Sequence, residues 1–141
     1  MKDLVGTWAL QEWITTDDLG NVSYPMGSDA VGRICYTDEG FVHVHIMFAD
    51  RTPHVDPDTQ AGTDEENIRS HTSHISYSGR YHVEGAQVIH DVTLSSFPNW
   101  APSKQVRDMR FEGNQLVLST SPMAWGGRQI GHRLTWARAA T

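Results

Sequence analysis

Residues 77–95 read YSGRYHVEGAQVIHDVTLS, and this stretch decides the fold. Two extended runs, Tyr77 to Val83 and Gln87 to Ser95, flank Glu84-Gly85-Ala86. The runs are rich in aromatic and β-branched residues, and the glycine supplies the backbone freedom of a tight turn, so the stretch predicts a β-hairpin. The pattern recurs downstream, where Gln105 to Phe111 and Gln115 to Ser119 flank Glu112-Gly113-Asn114. Between the hairpins, the loop from Ser96 to Pro102 carries Phe97 and Trp100.

Outward from there, short strand patterns and turn signals alternate. Gly6 to Thr15 predicts a first strand with Trp8, Leu10 and Ile14 on one face, ended by a turn from Asp17 to Asn21. Pro25 and Gly27 interrupt the next extended stretch. Val31 to Tyr36 and Phe41 to Met47 flank Thr37-Asp38-Glu39-Gly40, another hairpin turn. Residues 48–62 are rich in Pro, Asp and Thr and read as a surface loop. Thr63-Asp64-Glu65-Glu66 carries a capping residue and first-turn acids, so a short helix is expected from Asp64 to His71, placed to lid one end of the fold. Trp125-Gly126-Gly127 marks a late turn, and the last strand runs from Ile130 to Ala137. Eight to nine closely spaced strands with one helix fit an all-β single domain, a closed antiparallel barrel or a sandwich. A closed up-and-down barrel leaves no exposed edge.

The chain has 141 residues, the size of one domain, and buries about 70% of the surface its unfolded form exposes. Its formal net charge is −6 and its basic residues are scattered, which argues against nucleic acid and anionic membranes as partners. With a single cysteine, Cys35, no intrachain disulfide can form. A strand pattern begins directly after the first residues, and no apolar run approaches the ~18 residues of a membrane span. The expectation is a cytoplasmic protein. The 8 His and 5 Trp suggest an aromatic interior with a few polar points.

Leu4-Val5-Gly6-Thr7-Trp8 contains the Gly-x-Trp motif of strand one in lipocalins and related calycins. Further matches run in order along the chain: Tyr24-Pro25-Met26-Gly27, Gly32-Arg33-Ile34-Cys35-Tyr36-Thr37, Asp38-Glu39-Gly40-Phe41, Tyr77-Ser78-Gly79-Arg80-Tyr81, Val88-Ile89-His90, Ser96-Phe97-Pro98-Asn99-Trp100, Gln105-Val106-Arg107 and Leu116-Val117-Leu118-Ser119-Thr120. Through them the chain resembles the bacterial and fungal lipocalin-like domain family. The resemblance implies an up-and-down barrel whose base is closed by Trp8 with a basic residue packed on it, Arg133 or Arg138. It implies little about chemistry, because such barrels host carriers, isomerases, cyclases and lyases. His43 and His45 stand where small or amide residues are usual in that family, which marks them as candidates for an activity of this protein's own.

Strand alternation then assigns faces. Val88, His90, Val92 and Leu94 share the more apolar face of their strand, so His90 is expected inside. Gln105, Arg107, Met109 and Phe111 likewise point inward. In the first strand Trp8, Leu10 and Glu12 are the inward candidates, and in the last His132, Leu134 and Trp136 share a face. For Phe41, His43, His45 and Met47, set against Val42, Val44 and Ile46, either face is compatible with burial. An inward Arg107 needs a partner: Glu12 or another carboxylate, a ligand acid, or water at the mouth. His90 is either a core histidine bonded to a tyrosine or backbone group, or a polar anchor or general acid/base. His43 and His45 form a His-x-His that suits acid/base work, solvent exposure, or a metal if another strand supplied a third ligand such as His90. Cys35, with no evident base beside it, reads as a small buried hydrophobe.

These residues predict a ligand pocket with walls of Trp8, Tyr36, Phe41, Tyr81, Trp100, Met109, Phe111 and Trp136 and polar points at His43, His45, His90, Gln105 and Arg107. The extra histidines favour a cofactor-independent isomerase, cyclase or lyase acting on a hydrophobic metabolite. In that scheme His90 or the His43/His45 pair moves the proton, while Arg107 and Gln105 hold a carbonyl, enolate or carboxylate. The competing expectation is a non-catalytic carrier of a small hydrophobic ligand. A homodimer is an assembly open to a barrel of this size.

Overall fold

The computed structural model describes residues 3–140. Its strands are β1 (Gly6–Thr16), β2 (Val22–Ser23), β3 (Val31–Tyr36), β4 (Phe41–Met47), β5 (His74–Glu84), β6 (Gln87–Ser95), β7 (Ser103–Glu112), β8 (Gln115–Ser119), β9 (Met123–Trp125) and β10 (Arg128–Arg138). One helix, α1 (Asp64–Thr72), precedes β5. Eight strands close antiparallel in the order β1-β3-β4-β5-β6-β7-β8-β10, with β10 pairing back onto β1. This is the expected closed barrel. The short β2 and β9 extend β1 and β10 at one end, which is the mouth.

The base lies at the other end. Trp8 is buried, its indole N–H donates to Leu4 O, and the Arg138 guanidinium lies 4.0 Å above its ring. Arg138, rather than Arg133, is therefore the closing residue. It also donates to the carbonyls of Val5 and Asp3, tying the segment before β1 under the barrel. Gly6 sits at φ +131°, and a Cβ there would collide with the Arg138 guanidinium. The Gly-x-Trp spacing is thus the room that the arginine needs.

Two irregularities set which side chains face in. The β1–β10 register shifts between Leu10 and Glu12. Leu10 opposes Trp136 and Trp13 opposes Leu134, so Trp13, not Glu12, turns inward. Glu12 instead faces Arg133 on the outside at 3.8 Å. The β5–β6 register shifts between Ser78 and Gly79, which reverses the alternation late in β6 and leaves Leu94 68% exposed. A Cβ on Gly79 would stand 1.9 Å from Asp91 O, so the shift needs glycine.

α1 begins as predicted, with Thr63 and Glu66 in a reciprocal capping box, and ends one residue later than expected. The preceding segment is strapped to it. Arg51 donates to Ser73 Oγ and Ser70 O, and Val55 N–H donates to the Glu66 carboxylate. His71 and Thr72, in the last turn, border the mouth beside Met26, Phe97 and Trp125.

Gly79→Ala should lower the free energy of unfolding by about 1–3 kcal/mol, the usual range for forcing volume into a packed site. Urea denaturation followed by tryptophan fluorescence measures this, and an unchanged midpoint would show that β6 can move aside.

Candidate functional site

The barrel interior holds a cavity of about 50 Å³ that opens at the mouth. Seven of the eight barrel strands, all but β6, contribute by alternation. β1 gives Trp13, β3 Ile34, β4 Val44 and Ile46, β5 Ile75 and Tyr77, β7 Arg107, β8 Leu118, and β10 His132, Leu134 and Trp136. Trp100, Thr120, Met123 and Trp125 complete it near the mouth. Aromatic rings interlock there edge to face: Trp13 and Trp125 at 5.9 Å, Tyr77 and Trp100 at 5.5 Å, Trp125 and His132 at 4.6 Å.

Below the cavity floor is a buried polar chain. His90 is fully buried, with Tyr36 Oη 2.7 Å from Nε2 and Tyr77 Oη 2.8 Å from Nδ1. Both ring nitrogens are thereby occupied. Burial, and secondarily the positive charge of Arg107, pushes the His90 pKa down to about 3, so the ring is neutral. Burial also raises both tyrosines above their ordinary value.

Arg107 is 9% exposed and lines the cavity. Its guanidinium donates to Val106 O and lies 6.0 Å from the Trp100 ring. Among the described residues no carboxylate pairs with it, and Glu12 is committed to Arg133. The expected internal salt bridge is absent there, leaving a buried cation on the cavity wall beside the Tyr77 hydroxyl, with no carboxylate opposite it.

A second buried histidine lies higher up. Trp13 Nε1 donates to His132 Nδ1 at 3.0 Å, while His132 Nε2 and Trp136 Nε1 have no hydrogen-bond partner among the described residues. Burial first, then Arg107, lowers the His132 pKa to about 4.

Several sequence-predicted residues lie elsewhere. Val42, Val44 and Ile46 are the inward residues of β4, so His43, His45 and Phe41 face outward, where β-branched packing left them. His43 bonds Ser78 Oγ, His45 stacks 5.6 Å from His74, and Phe41 carries Arg80 on its ring. His90 is inside and cannot join the pair around a metal, and the described residues hold no cluster of three or more potential ligands. Cys35 is half-buried on the outer face, in register with His43, rather than buried in the core. Trp8 and Phe111 meet at the base, 6.3 Å apart, with Phe111 38% exposed. Tyr36 and Tyr81 pack edge to face at 4.8 Å, and Tyr81 donates to Thr37 O. Met109 packs against the core, and the Gln105 amide donates to Ser103 Oγ. Of the predicted residues, Trp100, Arg107 and Trp136 line the cavity, with His90 one step away through Tyr77 and Tyr36 behind His90. Trp13, Tyr77, Trp125 and His132 were not among the predicted site residues. The alternation in β10 already put His132 beside Trp136, whereas the β1 register shift concealed Trp13.

Both buried histidines are neutral in the fold and protonate more readily once unfolded, near the ordinary value of 6.5. Stability is therefore complete above pH 6.5 and falls as pH drops toward 4 and 3. The slope is at most about 1.4 kcal/mol per pH unit for each ring. Urea unfolding between pH 7 and 5 should show this loss, and His132→Gln should flatten the curve; an equally steep curve in the variant would contradict it.

The lipocalin-like domain family matches residues 5–139. The chain is similar to the 4'-hydroxy-3'-methoxypropiophenone carrier protein ppsC of Aspergillus oryzae, being 36% identical over 87 residues, 55% of this chain and 78% of that protein. Among solved structures, an uncharacterized protein from Bacteroides eggerthii DSM 20697 aligns over 96% of this chain and 99% of its own, with 10% identity and a TM-score of 0.48. The match along almost the whole chain, on a barrel closed by Trp8 and Arg138, makes this protein a member of the lipocalin-like domain family.

Proposed function

We propose that the barrel is a carrier: it holds one small, hydrophobic, aromatic molecule in its cavity and does not transform it. The observation that carries this reading is the bonding of His90. Both of its ring nitrogens are held by tyrosine hydroxyls, it is fully buried, and its pKa lies far below neutrality. A general base needs a free lone pair within reach of the substrate proton. His90 offers none, and His43 and His45 lie on the outer face. The proton-transfer reading that the histidines favour on sequence grounds thus loses its candidate bases. The wall of Trp13, Trp100, Trp125 and Trp136 suits a planar ring. The name of the similar Aspergillus oryzae protein, a carrier for an aryl ketone, supports the same reading.

Titration with 4'-hydroxy-3'-methoxypropiophenone should quench tryptophan fluorescence with saturation at one molecule per chain, and chromatography should recover the compound unchanged. Ile75, on both the cavity wall and the mouth, is the place to block it. Ile75→Trp should weaken binding by about tenfold or more, a loss of about 1.4 kcal/mol or greater. Conversion of the compound by the wild type, lost in His90→Gln, would replace the carrier reading with an enzyme.

A further inference from the structure

The polar groups of the cavity wall are almost all hydrogen-bond donors, and Trp13 makes His132 one of them. An indole N–H can only donate. Trp13 Nε1 donates to His132 Nδ1, so that nitrogen carries the lone pair and the proton of the neutral ring sits on Nε2. His132 Nε2–H therefore needs an acceptor and finds none among the described residues. Trp136 Nε1–H, on the same strand and face four residues on, with Leu134 between, is in the same condition. The two residues are 5% and 1% exposed, and both line the cavity. Arg107 joins them on the wall, close enough for its charge to act on His132.

Free acceptors do not balance these donors. No carboxylate or amide side chain lines the cavity, and its hydroxyls belong to Tyr77 and Thr120. Thr120 Oγ1 already accepts from the His132 backbone N–H at 3.1 Å. Tyr77 is settled by the chain beneath it. The fully buried Tyr36 hydroxyl has His90 as its partner, so its proton goes to Nε2; otherwise that proton would be stranded. His90 then carries its proton on Nδ1 and donates to Tyr77 Oη. The Tyr77 oxygen is satisfied, and its own O–H is left to donate elsewhere.

Unpartnered buried donors are costly, and a fold that retains several in one apolar chamber is complementary to what satisfies them. Resting on the reading that one small molecule fills the cavity, we propose that His132 Nε2–H, Trp136 Nε1–H and Arg107 are donor points on its wall for oxygen acceptors of the ligand, so that the ligand is an aromatic carbonyl or carboxylate compound. An aromatic hydrocarbon of the same shape leaves these donors unmet and is rejected by comparison.

Calorimetric titration of the full chain with three probes tests this: propiophenone, 3-phenylpropanoate and propylbenzene, which matches propiophenone in shape but lacks its oxygen. At least one oxygen-bearing probe should bind about tenfold or more tightly than propylbenzene. His132→Phe and Trp136→Phe should each shrink that advantage while propylbenzene affinity stays within about twofold. A carboxylate ligand is indicated if 3-phenylpropanoate binds more tightly than propiophenone and Arg107→Met abolishes the difference; a neutral carbonyl is indicated by the opposite order. Equal binding of all three to the wild type overturns the role of these donors and leaves the carrier standing. If none of the three binds and 4'-hydroxy-3'-methoxypropiophenone does not bind either, the carrier reading itself is overturned.

Discussion

The pairing of β10 with β1 is the constraint from which the remaining structure follows. An open sheet of this many strands would present two unsatisfied edges and one unfilled face. Joining the first and last barrel strands satisfies both edges at once. It also forces every second side chain toward a common axis, where space is limited by the circumference of eight strands. What fills that axis differs along its length. Toward the base, Trp8, Phe111 and Arg138 plug it. Toward the mouth, the large rings stand around the wall and the centre is left open.

Polar groups in such an interior have few partners, because the ladder has already consumed the backbone. The protein solves this for His90 with two tyrosines and for one side of His132 with an indole. Among the described residues it leaves the other side of His132 and the Trp136 indole unsolved, and the Arg107 cation without a carboxylate. The contrast separates structure from recognition within one chamber. Fully bonded groups define its shape, and incompletely bonded ones define what it accepts.

Much of the fold was legible. The turns at Gly85 and Gly113 fell where predicted because both glycines adopt positive φ, and Thr63 with Glu66 announced the helix start. The cavity was less legible, for reasons located at particular residues. Alternation is reliable only as far as the next register shift. The shift after Leu10 exchanged Glu12 for Trp13, and the one at Gly79 put Leu94 outside. On β4 both faces carried apolar residues, and the packing preference of Val42, Val44 and Ile46 outweighed the chemistry suggested by His43 and His45. Trp125 was read as part of a turn, since three-residue β9 is too short to leave a pattern.

The plug at the base has one more implication. With Trp8 and Arg138 sealing one end, the chamber is a cup rather than a conduit. Whatever enters past Met26, Phe97 and the last turn of α1 must leave by the same route and in the reverse order. Loading and unloading are then a single gate seen from two sides, and how long cargo is retained depends on the rim rather than on the depth of the vessel.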